Sequence, residues 1–322
     1  MTFESLREGS IARPDRLFYE LAWVCRRAKD EPSAIAAFGR VATLSKDEDL
    51  TGESCLHVGE ALLKDGKVAD GLTCLEKVAG KYEGRAQYLC GFTRFEAGKF
   101  GMARAHFEQI VAFGDAHTLY YEAQFFVGET QYREEDYKGA VDRYAILIGR
   151  KPAHERAQTA RLHHGECLVR TDQARDASAV LQEYLRRLES KAAREVGDQA
   201  RANLWLGQAW QKQGEWVRAE AAFKIVTNLT DDELSAESQF RIGQSRQSNG
   251  KLDDAVEAFV KLSILYGHAT WVQRGLDAAG DCYLKLGKPQ KARKLFDELI
   301  ERYPASSLSK RAQAKLQTIK SK

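Results

Sequence analysis

Apolar and polar positions alternate along this chain with the period of helices, in pairs separated by short polar turns. A small residue is followed about seven positions later by Gly or a polar residue. Five positions on stands a second small residue, and four further a large apolar one. The pattern runs as Gly59, Gly66, Gly71, Leu75, then as Gly91, Gly98, Ala103, Phe107 and Gly128, Glu135, Ala140, Tyr144. It continues with Gly165, Asp172, Ala177, Leu181 and with Gly207, Gly214, Ala219, Phe223. Gly243, Gly250, Ala255, Phe259 and Gly280, Gly287, Ala292, Phe296 complete the regular copies, and Ala22, Lys29, Ala34, Phe38 is a degenerate first one. One copy is a weak signal, whereas eight in phase define an architecture.

Each position has a physical meaning. The small residues belong where two helices approach closely, because a larger side chain would push them apart. A mid-helix glycine costs about 0.5–1 kcal/mol against alanine, so tight packing must offset it. The glycines at 66, 98, 214, 250 and 287 stand where a helix ends in the left-handed conformation. The large apolar residue lies on the face of its second small residue, one turn on, and is expected to plug the gap between repeats. No repeat buries its apolar face alone, so stability comes from stacking.

Successive copies start 37, 32, 37, 37, 42, 36 and 37 residues apart. The short interval predicts a tightened connection around Lys81 to Arg85. The long one predicts longer helices or an insert near Ser190 to Asp198. This order of residues at this period resembles the tetratricopeptide repeat (TPR) family over residues 16–304. The resemblance implies an all-α, right-handed superhelical solenoid of about eight helix-turn-helix repeats. Residues 1–15 read as a lead-in, a remnant of a longer array. Residues 305–322 read as a C-terminal capping helix, with Leu308, Ala312, Leu316 and Ile319 on one face and a basic opposite face. The tract ERYPASSLSKRAQAKL is similar to repeat ends in bacterial envelope TPR proteins, of the Tol–Pal coordinator and outer-membrane assembly lipoprotein type.

The resemblance also implies a concave face lined by the first helix of each repeat. Projection onto that face selects Tyr19, Trp23, Tyr88, Phe92, Phe95, Phe125 and Tyr132 toward one end, and Arg201, Gln208 and Gln244 toward the other. Aromatic side chains flanked by charge anchor peptides in such grooves; the bland alternative is packing between first helices. Members that clamp a peptide carboxylate use a Lys/Asn/Arg set that this chain departs from, since Asn203 and Asn249 stand isolated.

Composition narrows the function further. Lys and Arg number 49 against 46 Asp and Glu, a net charge of +3, which gives no electrostatic case for nucleic acid. No apolar run has the length of a membrane span. Six dispersed cysteines without a CxxC pair read as reduced, buried thiols. They favour the cytoplasm, with the periplasm as the alternative if a signal precedes this chain. No phosphate-binding, metalloprotease or nucleophile-elbow motif is present. His163, His164 and Cys167 form the densest group of metal-capable side chains, but two ligands four apart do not make a site. The expectation is a non-catalytic scaffold without cofactor or metal that binds a protein or peptide. The alternative is a structural or regulatory segment of a larger envelope complex or enzyme.

Overall fold

The computed structural model describes residues 13–189 and 196–320, and within them every regular element is helical. Eight helical hairpins follow one another, in two compact units divided after Pro152. The first unit holds α1 (Pro14–Arg27) with α2 (Glu31–Leu44), α3 (Glu48–Lys64) with α4 (Val68–Leu75), α5 (Glu83–Glu96) with α6 (Phe100–Ala112), and α7 (Tyr120–Arg133) with α8 (Tyr137–Arg150). The second holds α9 (Ala157–Arg170) with α10 (Ala174–Glu189), α11 (Val196–Lys212) with α12 (Trp216–Leu229), α13 (Glu233–Ser248) with α14 (Leu252–Leu265), and α15 (Ala269–Lys285) with α16 (Pro289–Arg302). A single helix, α17 (Ser307–Lys320), packs on α15 and α16 as the expected cap.

The turn inside each hairpin has one conformation. Lys29, Gly66, Gly98, Glu135, Asp172, Gly214, Gly250 and Gly287 all have positive φ, between 61° and 78°. These are the eight turn positions of the sequence pattern. Three are occupied by residues for which that backbone region is strained, so the tertiary packing of the hairpin, not glycine, dictates the turn.

The core is a knob-in-hole contact repeated in each hairpin. Phe38, Leu75, Phe107, Tyr144, Leu181, Phe223, Phe259 and Phe296 are fully buried. From Leu75 onward, each lies where a Cβ on the first-helix glycine of its own hairpin would stand, 2.3–2.9 Å away. This corrects the expected role of the large residue. It fills the hole made by the glycine within its own hairpin, and Phe107 also reaches forward to stack on Phe126 of the next, 4.9 Å between centroids. Burying such a side chain is worth roughly 1.5–3 kcal/mol.

Polar rungs reinforce the stack at a constant register. Tyr19 donates to Glu53, Tyr88 to Glu122, Gln211 to Ser245 and Lys315 to Asp281, each pair 34 residues apart and joining consecutive first helices or the cap. A second rung, 19 residues long, ties first helix to second: Gln87 with His106, Arg143 with Gln124, and Gln239 with the carbonyl of Ala258.

The short interval is absorbed chiefly by α4, which has 8 residues. A 3-10 turn at Gly80–Tyr82 then leads straight into α5. In the long interval α10 and α11 extend to 16 and 17 residues. Part of the expected insert, residues 190–195, and the lead-in to residue 12 lie outside the described residues. Asp30, Asp47, Asp136 and Asp232 cap α2, α3, α8 and α13 with their carboxylates.

Candidate binding face

In the first unit, the first helices carry two aromatic clusters. One is built on α1. Trp23 meets Phe38 edge-on at 5.6 Å and His57 at 5.5 Å, and Tyr19 lies across Trp23 and Phe38. The Tyr19 hydroxyl donates to Glu53 at 2.8 Å, and burial beside that carboxylate raises its pKa. The Arg26 guanidinium sits over both Trp23 and Phe38, 5.4 and 5.1 Å from the ring centroids. Beside it opens a cavity of about 510 Å³ with Pro32, Ile35 and Ala61 among its walls.

The second cluster spans α5 and α7. Tyr88 stacks on Phe92 with 11° between the planes. Phe126 meets Tyr88, Phe92 and Phe95 edge-on at 5.5–5.9 Å and stacks on Phe107. Phe92 is the outermost ring of the group, 36% exposed. Arg85, one turn before Tyr88, pairs with Glu60 of α3. A flat pair of rings is thus held from behind by a buried third ring and flanked by an ion pair.

The projected residues divide on this basis. Tyr19, Trp23, Tyr88 and Phe95 are half-buried and engaged in the clusters. Tyr132 meets Tyr137 edge-on at 6.0 Å. Phe125 is a correction: it is 4% exposed and turned toward Tyr144, so a partner cannot reach it. Its neighbour Phe126, equally buried and 5.3 Å from the Phe125 ring, is the one that backs the cluster, one helical step of about 100° away from the projected phase. Phe126 and His57 are the two central residues that the projection missed, because both are defined by rings on other helices.

In the second unit Gln208 and Gln211 are engaged internally. Gln208 donates to Glu237 at 3.4 Å. Gln211 bonds the Arg241 carbonyl and the Ser245 hydroxyl, while Arg241 pairs with Glu237 at 2.7 Å. Arg201 lies 3.6 Å from Glu166. Gln244 is half-buried on the same helix as Arg241. At the far end Asp277 is buried under Arg311 and Lys315 of the cap.

Cys55, Cys74, Cys90 and Cys282 have pKa values raised by burial, that of Cys90 to about 11, which keeps these thiols protonated and unreactive. His163, His164 and Cys167 are buried in α9, and among the described residues no three His, Cys, Asp or Glu side chains gather as metal ligands.

Residues 276–306 match the tetratricopeptide repeat family. That segment spans most of α15 and all of α16, the last hairpin. Among solved structures, MamA (residues 41 to the end) from Desulfovibrio magneticus RS-1 is 18% identical, over 58% of this chain and 96% of that one, with a TM-score of 0.48. A tetratricopeptide repeat protein from Parabacteroides merdae is 13% identical over 94% of this chain and 98% of that one, with a TM-score of 0.45. No curated protein matches the sequence.

Proposed function

We propose that this array of tetratricopeptide-type hairpins is a non-catalytic scaffold that holds a protein or peptide on the first-helix face of its first unit. The observation that supports this is the Tyr88–Phe92 ring pair, partly open to solvent and backed by buried Phe126. Rigid aromatic area costs little side-chain entropy on binding, and such residues dominate interface energies. The second unit contributes less to recognition in this reading, since Gln208 and Gln211 already bond to the neighbouring helix.

The test is affinity capture from the source cell with wild type beside Phe92→Ala. The ring is at the surface, so helicity is expected to be unchanged, and circular dichroism checks it. Loss of about 2 kcal/mol of affinity, roughly thirtyfold, is expected for one central anchor. Equal capture by both proteins would show that Phe92 only packs.

A second reading is an adaptor working through the outer helices. It draws on Val217 and Ile264, both more than 70% exposed on second helices of the second unit. Capture that survives Phe92→Ala but fails with Val217→Asp would favour it. Either reading carries with it a reducing compartment, in keeping with the free thiols of Cys25, Cys55, Cys74, Cys90 and Cys282. Thiol titration of freshly isolated protein checks that point, and a disulfide found there would overturn it.

A further inference from the structure

His57 of α3 is wedged between the first two hairpins. Its ring lies 4.7 Å from that of Phe38 on α2 and 5.5 Å from that of Trp23 on α1. Its Nδ1 stands 3.1 Å from a terminal nitrogen of Arg26 on α1. A guanidinium has donors and no acceptor, so Nδ1 must offer its lone pair and the ring proton must sit on Nε2. The imidazole is therefore neutral in this arrangement. Nε2 is buried without a hydrogen-bond acceptor, and the carboxylate nearest to it is Glu53 at 4.0 Å.

The charged and titratable groups around the ring come from every element packed on it. Arg26 faces it from α1 and Glu31 from α2, while Tyr19 of α1 reaches Glu53. Glu53 and Glu60 share its own helix, and Tyr82 reaches Glu53 from the turn before α5. Arg26 is held by three things at once: the His57 lone pair, Glu31 at 2.9 Å, and the two rings beneath it. The cavity of about 510 Å³ lies alongside, with Arg26, Glu31 and His57 among its walls. The guanidinium therefore has a place to go.

We propose that His57 is an acid-released latch between the first and second hairpins. A proton on Nδ1 turns the acceptor of the Arg26 bond into a donor and sets two cations about 3 Å apart. The new imidazolium is drawn to Glu53 through Nε2, so the ring stays and Arg26 swings with Glu31 into the cavity. The seam between α1–α2 and α3 loses its central hydrogen bond. Tyr19 and Trp23 ride on α1, so release loosens that end of the aromatic face; the latch itself depends on no partner.

Burial and the charge of Arg26 lower the His57 pKa below its ordinary 6.5, against the pull of Glu53, Glu60 and Glu31. A group neutral in the fold and charged when unfolded contributes stability that is complete above pH 6.5. It is lost as pH falls below 6.5 toward the folded value, about tenfold in the opening equilibrium for each pH unit crossed.

Hydrogen-exchange protection of the full chain at pH 7.5 and pH 5.5, corrected for intrinsic exchange, tests this. Protection of α1–α2 amides should fall relative to α5–α6 amides in the wild type. His57→Gln keeps an acceptor for Arg26 and cannot titrate, so the ratio should no longer change with pH. An unchanged ratio in the wild type, or the same fall in His57→Gln, overturns the latch. Nitrogen-detected NMR of the wild-type ring gives an independent reading that needs no variant. A neutral ring with its proton on Nε2 and a midpoint below 6.5 supports the proposal, and a proton on Nδ1 or a midpoint at or above 6.5 ends it.

Discussion

Gly207 shows how a single missing side chain sets the geometry of a hairpin. A Cβ there would lie 2.4 Å from the ring of Phe223, closer than real contacts allow. The neighbour is a fully buried aromatic ring with no open side to move into. Gly207→Ala should therefore destabilise the protein by about 1–3 kcal/mol, the usual range for overpacking a core. The lower end is favoured because Ala22 already faces Phe38 at the same position of the first hairpin. Urea unfolding of the two proteins measures it, and a change under about 0.5 kcal/mol would mean that the ring can shift freely. The two positions were legible in the sequence, since small and large residues recur at fixed offsets, but their pairing was not, because the large residue was expected between repeats and fills its own hairpin. The aromatic site was legible only in part. Phe92 and Tyr88 were found because they project from one helix at helical spacing. Phe125 and Phe126 both turned out buried, Phe126 as the ring behind Tyr88 and Phe92, since one position on a helix turns a side chain by about 100° and nothing in sequence reports where the next helix stands.

Turns and caps are decided at the scale of the element. Glu135 occupies the left-handed turn between α7 and α8 with φ of 62°, where five other hairpins place glycine. An L side chain there carries strain of order 1 kcal/mol. Glu135→Gly should relieve most of it, offset by the greater freedom of glycine in the unfolded chain. The expected outcome is a net gain of a few tenths of a kcal/mol to about 1, read as a raised melting temperature. A fall would show that the Glu135 side chain contributes more to the fold than the strain costs. The turn positions themselves followed from the repeat. The brevity of α4 did not, because the interval of 32 fixes only the total length of a repeat and not which helix shortens. The decision comes from packing. Gly59, Gly71 and Leu75 still interlock in that hairpin, and the chain turns through Gly80–Tyr82 directly after it.

For the molecule as a whole, stacking makes stability a sum of neighbour contacts, so an end should be able to loosen while distant hairpins stay folded. The cap tests this. Its apolar face, Ala312 with Leu308 and Leu316, covers Val272, Leu276 and Leu299, as helical periodicity indicated for these three, while the side chain of Ile319 lies outside the described residues. Its basic residues read as solvent-facing, yet Arg311 and Lys315 reach back to Asp277 and Asp281, across 30 residues or more. Such a pairing leaves no trace in local spacing. Asp277 is 3% exposed, so the two cations are what allows a charge to stay buried there. Arg311→Ala with Lys315→Ala would strand that carboxylate, at a cost of about 3–5 kcal/mol. Most of the loss should appear as fraying of α15 to α17, since the pairs removed are the ones that tie the cap to α15. Hydrogen exchange should then rise at those three helices and stay unchanged in α1 to α6. If α1 to α6 open to the same degree, the array unfolds as one cooperative body and the nearest-neighbour account of its stability is wrong. Adding Asp277→Asn to the double variant removes the stranded charge while keeping the shape. Recovery of protection in that triple variant would assign the loss to the buried carboxylate rather than to missing contacts of the arginine and lysine stems.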